Sequence, residues 1–385
     1  MNANKTSSGN NRVLKPWREL AALALAGLEK TYGDGGLPRT RAWIDNHAVN
    51  QGVNVRYALI SLLGLGRMAA GPPRARKLID VLWDRVDQSL ESTGVTAGDL
   101  GLGLWARMVT GRGPRAFSAD VALRALRNDV KACDSVDLAW LLCGADAASE
   151  SGEFGACEDL MDAAKGHLLG LYNERTRLFY RHDRRGPTQS VSRRVACFAN
   201  QIYPVMALGI HARRRGCAEA LKVAGDVADN LVALQGKHGQ WWWLYDAASG
   251  GVVDGYPVFS VHQDGMAPMA LLELMNAGGR DFGDAIHKGL QWIFGKNELG
   301  QSMVLENEGL VLRDIHKRGV GRMSRMIEAG LWVCGWRRGD GRALSGEQLE
   351  VNPECRPYHL GWILYAASLI EDVMSRECQL VSAAS

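Results

Sequence analysis

Six short polar clusters recur along this 385-residue chain, and each runs directly into an apolar stretch of helical character. They are Asn54-Val55-Arg56-Tyr57, Ala97-Gly98-Asp99-Leu100, Ser135-Val136-Asp137-Leu138, Ala199-Asn200-Gln201-Ile202-Tyr203, Val261-His262-Gln263-Asp264 and Arg356-Pro357-Tyr358-His359. Divergent repeats of this kind predict helical hairpins stacked around an axis. The polar starts of the buried helices would then meet at one rim.

The rest of the chain fits that plan. Helical segments are expected near 16–32, 55–69, 73–90, 97–110, 116–130, 135–147, 153–171, 195–215, 217–234, 262–277, 281–295, 323–337 and 357–374. Pro16 reads as a first-turn residue, and Gly or Pro marks most of the breaks. Some segments are amphipathic, such as Ala218–Leu231, and others are apolar nearly all round, such as Ala58–Leu65. Helices of the second kind must be covered on most sides, so an outer amphipathic ring around an inner apolar one satisfies both. Thirteen segments make six hairpins, and the one left over is assigned to an insertion. Residues 1–15 are polar and expected to be disordered, 16–375 form one helical domain, and 376–385 form a tail. Three stretches break the helical alternation and read as β-hairpins. These are 172–193 with a turn at Gly186-Pro187, 235–260 around Ser249-Gly250-Gly251, and 296–322 around Asn307-Glu308-Gly309. All three are expected on one rim, partly walling a cleft.

Composition narrows the function classes. With 46% hydrophobic and 23% charged residues, the chain can bury a large core. A net charge of +3 does not argue for a nucleic-acid partner. The basic runs Arg181–Arg185, Arg193-Arg194 and Arg213–Arg215 read as solvated faces or anion contacts. Eight scattered cysteines form no CxxC pair, which suits buried, reduced thiols and a cytoplasmic protein. No apolar run reaches the ~18 residues of a spanning helix, so no transmembrane segment is expected.

The hairpin alternation over 16–375 resembles the α/α-toroid superfamily. That group takes in terpenoid cyclases, protein prenyltransferases, and (α/α)6 glycoside hydrolases, polysaccharide lyases and sugar epimerases. Gln235, Gly239 and Trp241 match the Q-x3-G-x-W core of the repeat seen in triterpene cyclases, and a similar G-x-W occurs in carbohydrate-active toroids. The resemblance implies an all-α (α/α)6 toroid with short β-hairpin insertions at one rim. The cyclase acid motifs DxDD and DDxxD are absent. Cys355 and His359 have metal-compatible spacing, but Pro357 between them disfavours a regular helix, so no metal and no cofactor is assigned.

Several polar residues at the expected helix starts are candidates for chemistry. Asp264 sits in a first turn, where an acid can cap the helix or serve as general acid or base, with His262 and Gln263 orienting a substrate. Trp241, Trp243 and Tyr245 would share one face of a strand and offer a stacking platform for a sugar, or pack in the core. Asp246 could be the second carboxylate of an acid/base pair with Asp264. Asn200, Gln201 and Tyr203 offer amides and a phenol at another helix start, while Asp99 and Asp137 are read as caps. Arg56, Tyr358 and His359 complete the ring, with Asn46 and His47 just upstream. Arg322 and Arg325 could hold an acidic group of the substrate.

The leading expectation is a carbohydrate-active enzyme, a hydrolase, lyase or epimerase. It would use Asp264, assisted by His262 and Tyr203, on a small-molecule or polysaccharide substrate, an acidic or polymeric one. A terpenoid cyclase-like or prenyl-handling enzyme is the alternative, favoured by an apolar cavity over a polar groove. A non-catalytic glycan-binding or scaffold protein is the third.

Overall fold

The computed structural model describes residues 3–33, 35–45, 47–68, 71–90, 95–149, 154–186, 189–336 and 344–383, with backbone alone at 3–13, 154–155, 322–323, 325–326 and 376–383. Among the described residues six helices alternate along the chain with six others. The first set is α1 (Ala3–Tyr32), α3 (Pro73–Leu90), α5 (Ala119–Asn128), α7 (Phe154–Gly170), α10 (Ala218–Leu234) and α12 (Gly283–Ile293). Between them come α2 (Val55–Arg67), α4 (Ala97–Thr110), α6 (Ser135–Ser149), α9 (Phe198–Arg215), α11 (Ala267–Asn276) and α14 (Pro357–Ala383). A π-helical turn, His262–Met266, leads into α11. Two further helices, α8 (Ser190–Arg194) and α13 (Arg322–Val333), are insertions, so the segment left over from the hairpin count does fall in one.

The second set closes on itself. α2 packs on α4, α4 on α6, α6 on α9, α9 on α11, α11 on α14, and α14 on α2. Around this ring α3 covers α2, α5 and α7 cover α4 and α6, α10 covers α9, and α1 covers α14. The architecture is the all-α (α/α)6 toroid. Burial follows the two patterns in the sequence. α6 is buried without a break from Leu138 to Ser149. α5 buries only Ala119, Ala122, Leu123 and Leu126, the one stripe an outer helix turns inward.

Glycine sets how closely the inner helices approach. A Cβ on Gly101 of α4 would lie 2.6 Å from the Leu141 backbone of α6, and one on Gly144 would overlap the Gly101 carbonyl. Gly64 of α2 meets the Gly361 carbonyl of α14 in the same way. At the C-terminal ends of the inner helices, buried Asp146 pairs with His211 at 3.0 Å. Buried Glu273 there accepts from Tyr365 Oη at 2.9 Å and Arg213 at 3.2 Å.

α1 reaches back to Ala3, so Pro16 lies inside the helix and not in its first turn. Extending a helix that is already nucleated needs no new nucleus, which lets the polar leader continue it. The hairpins at 244–254 and 304–311 turn where expected. In the third, Tyr172–Asn173 pairs with Leu178–Phe179. Its turn is 174–177, closed by the Arg177 N–H donating to the Asn173 carbonyl at 2.8 Å, and not Gly186-Pro187, where Pro187 lies outside the described residues. Thr40–Ile44 pairs locally with His47–Gln51, a hairpin not expected from the sequence. Further strand pairs join distant segments: Thr40–Ile44 with Glu354–Cys355, and Asp314–Lys317 with Leu349–Asn352 and Val258–Phe259. Among the described residues no helix is long and apolar enough to cross a membrane.

The glycine contacts carry a direct test. Gly64→Ala is expected to lower stability in urea by about 1–3 kcal/mol through overpacking. Gly166→Ala, on α7 with nothing within 4 Å of an added Cβ, should be neutral or gain up to about 1 kcal/mol from helix propensity. Equal effects of the two would contradict glycine-set spacing of the ring.

Candidate active site

The first turns of the inner helices converge on one cleft of about 530 Å³. α2 contributes Arg56 and Tyr57, α6 Asp137 and Trp140, α9 Asn200 and Tyr203, and α14 Tyr358. Thr96, the N-cap of α4, and His262 and Met266 of the π-helical turn complete the circle. Each helix start leaves backbone N–H groups without intrahelical partners, and side chains here supply them.

The carboxylates of the cleft divide by how they are used. Asp99 is committed to α4: its Oδ2 accepts from Thr96 N at 3.1 Å and Thr96 Oγ1 at 2.8 Å, and its Oδ1 takes Arg56 Nε at 2.6 Å. Asp134 precedes α6 and its Oδ1 accepts from Val136 N at 2.9 Å and Asp137 N at 3.2 Å. Arg181 lies 3.6 Å from the other oxygen of Asp134. Asp137 is tied less firmly. Its Oδ2 accepts from Asp134 N at 3.1 Å, and its Oδ1 lies 4.0 Å from Arg56. Burial, and then the neighbouring Asp134 carboxylate, push the Asp137 carboxyl up to about 6, against the pull of Arg56.

Aromatic rings form the remaining walls. The Arg56 guanidinium lies over Trp140 at 4.9 Å, and Trp140 meets Tyr203 edge-on at 5.4 Å. Tyr57 and Tyr358 stack at 4.5 Å, and Trp243 meets Phe259 edge-on at 6.3 Å. Burial raises the phenols of Tyr203 and Tyr358, so both stay neutral. The Tyr203 oxygen accepts from Trp362 Nε1 at 2.8 Å. The His262 ring lies 4.5 Å from that of Phe198, and burial pushes it down to about 3, so it enters the cleft as neutral imidazole.

Of the residues singled out from sequence, Arg56, Asn200, Tyr203, Trp243, His262 and Tyr358 line this cleft. Others are turned into the core. Asp264 is fully buried, and its Oδ1 pairs with buried His359 Nε2 at 2.6 Å, tying the π-helical turn to α14. Gln201 spans the Phe179 backbone, accepting from its N and donating to its O, both at 2.8 Å. Gln263 donates to the Phe259 carbonyl at 3.1 Å.

The strand begins only at Leu244, so the expected alternation of Trp241, Trp243 and Tyr245 does not hold. Trp241 and Tyr245 are buried against Phe198, and Trp243 alone of the three lines the cleft. Asp246 is buried and bonded to Arg194 at 2.8 Å, Ser249 Oγ at 2.7 Å and Ala248 N at 3.0 Å. Burial alone would raise its carboxyl, but these partners hold it below the usual range. These bonds make Asp246 an anchor of its strand. His47 is exposed on its strand, 3.2 Å from the Asp45 carbonyl. Asn46 and the side chains of Arg322 and Arg325 lie outside the described residues.

Asp134, Trp140, Arg181, Phe259 and Arg313 also line the cleft. Sequence reasoning gave Asp134, Trp140 and Phe259 no role there, while Arg181 and Arg313 belong to basic runs that read as solvated faces or anion contacts. The signal for Asp134 was present: two aspartates three apart at one helix start form a reciprocal cap, Asp134 accepting from Asp137 N and Asp137 from Asp134 N.

No family model matches the chain, and no curated protein matches it in sequence. Solved structures do match it in fold. An unsaturated glucuronyl hydrolase specific for heparin superposes with a TM-score of 0.61 at 13% identity, covering 95% of this chain and 98% of that one. An inactive variant of an α-1,6-mannanase of Salegentibacter sp., in complex with α-1,6-mannotriose, gives 0.59 at 10% identity over 92% and 99%. An unsaturated glucuronyl hydrolase responsible for glycosaminoglycan degradation, from a Bacillus species, gives 0.58 at 14% identity over 92% and 96%. The chain is thus an (α/α)6 toroid of the form these carbohydrate-active enzymes have.

Proposed function

We propose that the chain, with 16–375 acting as one unit, is a carbohydrate-active enzyme that cleaves a glycosidic bond by general acid/base chemistry. The observation that carries this reading is Asp137, a carboxyl pushed up to about 6 in the wall of a cleft lined by arginine and aromatic rings. Fold likeness to glycoside hydrolases supports it only by analogy. In its protonated form Asp137 donates a proton to the departing glycosidic oxygen, and as a carboxylate it takes one from the attacking water. Asp134 raises its proton affinity, and Arg56, fixed by Asp99, limits the rise.

Trp243 and Trp140 offer faces for a sugar ring to pack on. Arg181 and Arg313, both in the cleft wall, suit a carboxylate or sulfate on the substrate, the role first given to Arg322 and Arg325. Asp264 in this reading positions His262 and Tyr358 through His359 and does not meet the substrate. The ring of charged groups favours a saccharide over the apolar, carbocation-forming substrate of a terpenoid cyclase. A cytoplasmic setting belongs to the same reading, in keeping with the buried thiols of Cys133, Cys143 and Cys355.

Asp137→Asn should lower kcat on a cleaved oligosaccharide by about 10²–10⁴-fold. It should not lower the melting temperature at pH 7. A carboxyl raised in the folded state favours folding most at low pH, and that contribution is lost as pH rises from about 4 to about 6. At pH 7 the native protein therefore holds a disfavoured charge that Asn removes. Comparable loss of activity and of fold would instead make Asp137 a structural cap.

The pH–rate profile gives a second test. kcat/KM should fall as pH rises through about 6. Asp134→Asn keeps the cap of α6 but removes the like charge, so it should move this limb to lower pH. An unmoved limb would exclude Asp134 as the group that tunes Asp137.

A further inference from the structure

Beside the main cleft, on the far side of the Arg56–Asp99 ion pair, lies a second pocket of about 220 Å³. It sits between the end of α3 and the starts of α2 and α4, at the same rim. Apart from Asn54, Arg56 and Asp99 its lining is apolar: Val53, Val55, Leu59, Leu90, Val95 and Phe117. Val53 is 71% exposed and Val95 37% exposed, two of only seven large hydrophobic side chains exposed among the described residues. Exposed apolar groups gathered around a concavity mark a binding surface more than chance.

Arg56 lines both spaces, so the two adjoin across its side chain. We infer that this pocket is a subsite for an apolar substituent, an aryl ring or an acyl group of similar size, carried on the leaving group of the substrate. A cavity of about 150 Å³ binds benzene, so the volume here admits one six-membered ring. The walls also fit the assignment, since valine, leucine and phenylalanine offer apolar contact and no hydrogen-bond partners. The Arg56–Asp99 pair stands between the two spaces: Arg56 lines both, and Asp99 lines the second pocket.

The role as a leaving-group subsite rests on the saccharide reading above, but occupancy by an apolar ring does not. Benzyl alcohol serves as the probe, titrated against the full chain and followed by ligand-observed NMR. Saturable binding is expected for the wild type, weakened about tenfold by Val53→Asp, and likewise by Val95→Asp. Both positions are exposed, and an unchanged melting temperature verifies each fold. Asp137→Asn should leave the affinity unchanged. Absence of saturation, unchanged affinity in both valine variants, or loss of binding on Trp243→Ala instead would overturn the assignment. Turnover is not read, so a wrong reaction assignment leaves these outcomes untouched.

Discussion

Inner helices that begin at one rim of the toroid bring their unpaired N–H groups together there. The positive ends of their dipoles meet at the same place. That is the constraint the cleft depends on. Such a rim demands oxygen acceptors, and the chain answers with Asn54, Thr96 with Asp99, Asp134, and Asn200. Acidic groups are thus drawn to the mouth of the cleft by helix physics before any chemistry is asked of them. What separates Asp137 from the rest is its setting. Its Oδ2 completes the cap of α6 by accepting from Asp134 N, while burial and the like charge beside it raise its carboxyl.

The far end of the toroid is organised in the opposite sense. The last turn of α9 carries Arg213, Arg214 and Arg215, which face buried acceptors on neighbouring helices, including the Asp146 carbonyl and the Glu273 carboxylate. Cations there suit the carbonyl ends of the inner helices. With that end tied together and the ring spaced by Gly64, Gly101 and Gly144, the rim receives a rigid support. The loops and strand pairs above it then place Trp243, Phe259 and Arg313 over the cleft.

The periodicity of the sequence was enough for the helical hairpins, and the resemblance to α/α toroids supplied their closed arrangement. Apolar runs after polar starts gave the inner helices, charged spacing gave the outer ones, and Gly or Pro gave most of the breaks. Strand pairs closed by residues hundreds of positions apart, such as Arg41 with Cys355, were not legible, because no local turn announces them. The candidate site was legible only in part, and the failures share one cause. A helix start shows which residues are near the rim but not which way each points. Gln201 and Asn200 are adjacent, yet one grips the Phe179 backbone inside the core and the other lines the cleft. Asp264 lost its expected place to the π-helical turn. That turn directs His262 and Met266 to the cleft and leaves Asp264 facing His359.

The account therefore reduces to the state of one carboxyl. A ¹³C-carboxyl NMR titration of the full chain, with Asp137 assigned by difference from Asp137→Asn, measures it without any substrate. The account predicts a midpoint near 6 for Asp137, displaced downward when Asp134 is replaced by Asn. A midpoint in the ordinary aspartate range, indifferent to Asp134, would contradict it.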